Sequence, residues 1–118
     1  MNDDVPIGVV ELPRFSLRAR KLFDEEERQE LTDFLAFNPT AGDIIAGTGG
    51  VRKVRWAMKG RGKSGGARVI YYFHDERIPL FLITAYPKNE QANLSLAERN
   101  EFRQLASVLA ATAKEQKK

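Results

Sequence analysis

The stretch Thr48–Tyr72, TGGVRKVRWAMKGRGKSGGARVIYY, decides the reading of this chain. It holds seven basic side chains, Arg52, Lys53, Arg55, Lys59, Arg61, Lys63 and Arg68, and no acidic residue occurs between Asp43 and Asp75. Without these seven the chain keeps 12 of its 19 Lys and Arg against 16 Asp and Glu, so the positive charge is local rather than general. Concentrating like charge costs self-repulsion and is expected where a polyanion must be met.

The residues from Val51 to Met58 alternate. As a strand they place Arg52, Val54, Trp56 and Met58 on one face, which reads as core, and Val51, Lys53, Arg55 and Ala57 on the other. Lys53 and Arg55 then project together, about 7 Å apart along the strand. A second strand, Ala67 to Phe73, is rich in Val, Ile and Tyr, and the Gly-rich basic segment between the two reads as a hairpin loop. Antiparallel pairing lets Arg68 join Lys53 and Arg55 on one surface. The alternative is a solvated sheet face with scattered charges.

Working outward, Ile7 to Leu12 is a short β-type run, an edge strand or the first strand of the sheet. Pro13 can open a helix over Arg14 to Leu22, where Leu17 and Leu22 give a weak apolar face. Asp24 with Glu27 resembles a capping box, and Leu31, Phe34 and Leu35 form a narrow stripe on a second helix ended by Asn38-Pro39. This helical hairpin is expected to pack on the Trp56 face. Thr40 to Gly50 reads as loop, Asp75 to Arg77 as a turn containing His74 at its edge, and Leu80 to Tyr86 as a central strand. Ser95 and Glu98 make a second capping box, after which Phe102, Leu105, Ala106, Leu109 and Ala113 recur at helical spacing. The order β-α-α-β-β-β-α defines an α+β domain with a small, mainly antiparallel sheet.

A length of 118 residues suits one domain, 1–118. The absence of cysteine excludes disulfides, thiolate nucleophiles and Cys-based zinc sites and fits a reducing cytoplasm. With no signal peptide and no apolar run of spanning length, the expected location is cytoplasmic and no membrane partner is expected. Ala57 to Ser64 resembles a phosphate-binding P-loop only superficially, because its first glycine is replaced by alanine and a strand follows it rather than a helix. The acids Asp24 to Glu27 suit the first turn of a helix, no ligand set has metal spacing, and no cofactor is expected.

Asn38-Pro39, GTGGVRKVRW, GKSGGARVIYY, TAYPKNE and the Leu94-Ser95 helix start together resemble the RelE/HigB family of toxins from type II toxin–antitoxin systems, over about Phe34 to Glu101. The resemblance implies a RelE-like fold, a helical hairpin against an antiparallel sheet. It also implies a toxin that enters the ribosomal A site and cleaves messenger RNA, held inactive by a cognate antitoxin. By position in the motifs, Lys53 and Arg55 match the family's paired basic residues, Arg68 its arginine after the glycines, and Lys88 the basic residue closing the last strand.

Metal-free RNA cleavage by the ribose 2′-OH needs charge stabilisation, proton removal and leaving-group assistance. Arg68, always charged and fork-shaped, suits the transition-state cation, and Lys53 or Lys88 the proton-handling group. Tyr86 could stack on an extruded base or could be partly buried core. Lys59, Arg61 and Lys63, set among glycines, suit contacts to phosphates of message or ribosome. Some family members carry a tyrosine or histidine where this chain has Ala92-Asn93-Leu94, which leaves the base open. Two other readings share the scaffold: a ParE-like toxin that acts on DNA gyrase without cleavage, and a non-catalytic RNA- or ribosome-binding module.

Overall fold

The computed structural model describes residues 5–58, 66–91 and 93–115. Its elements run β1 (Val9–Glu11), α1 (Pro13–Leu22), α2 (Glu25–Phe37), β2 (Asp43–Ile44), β3 (Val51–Trp56), β4 (Ala67–Tyr72), β5 (Leu80–Pro87) and α3 (Leu96–Ala113). The five strands form one sheet in the order β1-β5-β4-β3-β2. All neighbours are antiparallel except β1 and β5, which run parallel because the α1–α2 hairpin carries the chain away before it returns. No helix among the described residues is long and apolar enough to cross a membrane.

Both expected capping boxes form. The Asp24 carboxylate accepts the Glu27 N–H at 2.7 Å while Glu27 accepts the Asp24 N–H, and Ser95 and Glu98 repeat the exchange at α3. Helix α1 buries Phe15 and Ala19 rather than Leu17, which is exposed. Positions 15, 19, 22 and 23 share one helical face and position 17 lies on the opposite one. Helix α2 adds Leu31 and Leu35, and this layer covers Val54, Trp56, Met58, Val69, Tyr71, Leu80, Leu82 and Ala85. The hairpin therefore packs on the Trp56 face, with the Phe34 and Trp56 rings 5.5 Å apart. Each fully buried Phe or Leu here contributes roughly 1.5–3 kcal/mol, more than the roughly 1 kcal/mol of a typical cap.

Helix α3 covers the other face only in part. Phe102, Ala106 and Leu94 pack on Val51, Ile70, Tyr72, Ile83 and Tyr86. A register shift between Ile70 and Tyr71 gives β5 one extra residue there. That shift accompanies Ile83 joining the α3 side of the core.

Strand β2 lies within the stretch expected to be loop. Its two exposed residues pair with Lys53 and Arg52, so β3 induces it; it has no alternation of its own. The connection to β3 turns on Gly47, Gly49 and Gly50, all with positive φ. Buried Thr48 ties the turn by donating to the Ile45 carbonyl at 2.7 Å and accepting the Val51 N–H at 3.1 Å.

Candidate functional site

On β3 and β4 the register sets Arg55 opposite Arg68 and Lys53 opposite Ile70. Directly paired residues point to the same side, so Lys53, Arg55 and Arg68 share the face that α3 covers only in part. These cations line a cleft of about 590 Å³ together with Ala41, Asp43, Val54 and Asn93. Arg55 is exposed, and Lys53 and Arg68 are half-buried. The ion pairs found among the described residues lie elsewhere, joining Arg14 to Glu101, Arg18 to Glu90, Arg28 to Glu11, and His74 and Arg77 to Asp75.

The wall beside Lys53 is built by the segment leading into β2. The Tyr71 hydroxyl accepts the Gly42 N–H and donates to the Pro39 carbonyl, both at 2.8 Å. Burial pushes the Tyr71 phenol up, so it stays a neutral donor as well as an acceptor. Arg52, on the hairpin face, donates to the Gly42 carbonyl at 2.7 Å and so braces this loop rather than facing the cleft. A Cβ at position 42 would lie 2.8 Å from the Lys53 carbonyl oxygen and 2.9 Å from the Tyr71 ring, so glycine is needed for close approach. Asp43 follows directly and contributes the cleft's acidic group.

Tyr86 stands opposite Arg68 on β5, on the same side of the sheet, but is only 3% exposed and belongs to the α3 core. Its ring offers no free face for stacking on a base, because it is packed in the α3-side core with Leu94. Its hydroxyl is buried without a hydrogen-bond partner. Burial pushes the phenol up, the Arg68 cation pulls it back, and Glu98 and Glu90 push it up further.

Lys88 lies just beyond β5, exposed, its N–H donating to the Gly66 carbonyl at 2.9 Å, and it is not among the residues lining the cleft. Lys59, Arg61 and Lys63 fall outside the described residues. His74 sits in the turn after β4, its Nδ1 3.1 Å from the Tyr72 hydroxyl. Asp43 and Asn93 were not singled out from sequence for any role. Neither carries a local signal, since one sits in a strand without alternation and the other in the connection before α3.

Chemically the cleft offers an open, net-cationic surface with two guanidinium groups side by side, matched to an anion with several oxygens. Over residues 20–118 the chain matches the family described as the RelE toxin of the RelE / RelB toxin-antitoxin system. The chain belongs to the RelE toxin family, and is the toxin component of a toxin–antitoxin system whose partner is an antitoxin.

Proposed function

We propose that this toxin is a ribosome-dependent endoribonuclease that cuts messenger RNA in the cytoplasm and so stops translation. The observation that carries the reading is the in-register pair Arg55 and Arg68, placed with Lys53 in one open cleft. A scissile phosphate seated there meets two planar forks whose hydrogen bonds strengthen as charge builds on its oxygens. The ribose 2′-oxygen gives up its proton and forms a bond to phosphorus, the bond from phosphorus to the 5′-oxygen breaks, that oxygen takes up a proton from water, and the products carry a 2′,3′-cyclic phosphate and a 5′-hydroxyl. Lys53, within the cleft, is the group placed to handle the 2′-OH proton, with Lys88 at the end of β5 as the other candidate. Lys59, Arg61 and Lys63 serve to hold message or ribosomal RNA.

The test is the chemistry of the cut ends. Message recovered from translating ribosomes treated with the purified protein should carry new 5′ ends that accept a kinase label without prior dephosphorylation. Uncut message contradicts the nuclease reading, and new 5′-phosphate ends contradict the 2′-OH mechanism.

A further inference from the structure

Lys53, Asp43 and Asn93 line two clefts at once. Beyond the cation cleft, a smaller one of about 260 Å³ opens toward α3 and adds Arg99 with Ile44, Ile45 and Leu94. The two adjoin at these three shared residues, so that together they run from the cations of β3 and β4 past the β2 edge to the start of α3. At the far end of this groove stands Arg99, half-buried in the first turn of α3.

Arg99 is unlike three of the arginines on α1 and α2. Arg14, Arg18 and Arg28 each rest on a carboxylate, whereas the Arg99 Nε is buried with no hydrogen-bond partner. No ion pair found among the described residues engages Arg99, so the charge of its guanidinium, which lines the groove, is left for an anion there. Along the groove Lys53, Arg55, Arg68 and Arg99 face one carboxylate, Asp43, so the surface favours an anion at both ends. Ile44 beside it is 58% exposed and offers apolar surface to a sugar or base.

We infer that the groove is a track for a run of single-stranded RNA, in which Arg99 holds a phosphodiester of the same strand whose scissile phosphate lies at Arg55 and Arg68. This rests on the ribonuclease reading. Arg99 is then a strand-binding residue outside the reacting centre, and it sets how many nucleotides the protein grips.

The experiment measures binding of uncleavable 2′-O-methyl oligoribonucleotides by fluorescence anisotropy across a salt series, with a dinucleotide and a pentanucleotide. Arg99→Gln should weaken pentanucleotide binding about tenfold. It should also flatten the salt slope by about 0.7, one single-strand phosphate, and leave the dinucleotide unchanged. Arg99→Lys should keep the slope, which a purely structural role would not require. Arg68→Ala should weaken both ligands. A folding defect in the glutamine variant is bypassed with the unsubstituted protein: a pentanucleotide with one charged linkage and three neutral methylphosphonates should bind no tighter than the dinucleotide.

If Arg99→Gln binds the pentanucleotide with unchanged affinity and slope while Arg68→Ala weakens it, the track is wrong and the nuclease reading stands. Tight binding of the mostly neutral pentanucleotide also overturns the track. Failure of the unsubstituted protein to bind either oligonucleotide at low salt overturns the track, while the nuclease reading is decided separately by the cut ends of translated message.

Discussion

Arg55 and Arg68 sit directly opposite one another on β3 and β4, with their side chains on the same side of the sheet. Like charges paired across strands destabilise a sheet by several tenths of a kcal/mol, on the order of what a favourable pair would contribute. Neither arginine is relieved by an ion pair with a described carboxylate. A fold that keeps such a pair in register stores repulsion that an anion between them removes. Arg68→Ala should therefore leave stability unchanged or raise it by up to about 1 kcal/mol, while lowering single-turnover message cleavage about 10²–10³-fold. Urea melts and cleavage on the same preparation check both halves, and a clear loss of stability would mean that Arg68 is structural.

The cleft wall should fail before the cleft chemistry does. Tyr71→Phe strands the Gly42 N–H and the Pro39 carbonyl, each at about 1–3 kcal/mol if water does not reach it. Gly42→Ala forces a Cβ against the Lys53 carbonyl and the Tyr71 ring, a clash of roughly 1–3 kcal/mol. Both should lower the urea midpoint, and amide exchange should quicken first in residues 40–45. Exchange rising uniformly over the sheet would show that the loop is not a separate unit.

Acid should loosen the joint between β1 and α2. The Arg28 guanidinium, donating to Glu11 from Nε at 2.9 Å, holds the Glu11 carboxyl below its ordinary value, with the Ser16 hydroxyl helping against partial burial. A carboxyl lowered in the folded state adds stability that is present above its unfolded pKa, about 4.3, and is lost as pH falls through the folded value. Arg28 is pushed the other way, up, and stays charged throughout. Arg28→Met should thus be less stable than the parent near pH 7 and show a flatter decline from about pH 5 to 3. Parallel declines would show that this pair does not carry the acid sensitivity.

Much of this arrangement was legible because its causes are local. The capping boxes at Asp24 and Ser95, the alternation of Val51 to Trp56 and the Val, Ile and Tyr of β4 are written in adjacent residues, so helix starts and strand faces could be read directly. Parity alone put Lys53 and Arg55 on one side. What could not be read depends on long-range docking. β2 exists only because β3 pairs with it, and Tyr86 is buried only because α3 folds over part of a face that also carries the cations. The same docking brings Arg99 and Asn93 to the groove from a segment far along the chain.

The glycine-flanked cations Lys59, Arg61 and Lys63 should separate binding from cutting. Their charges suit neutralisation of RNA phosphates, a role that adds to binding and its salt dependence. Neutralising all three should weaken ribosome association and flatten its salt dependence by up to about three charges' worth, leaving single-turnover cleavage at saturating protein nearly unchanged. Lys53→Ala should slow the saturated rate more than it weakens binding. A triple variant that binds normally but cuts slowly would place the loop in the reacting centre.

The most direct measurement is primer extension on one message incubated with the purified protein, free in one reaction and under translation by purified ribosomes in the other. New 5′ ends within codons should appear only in the translating reaction and should disappear with Arg68→Ala. Ends on the free message would contradict ribosome dependence, and an intact message in both reactions, with DNA gyrase inhibited by the same protein, would contradict the nuclease account altogether.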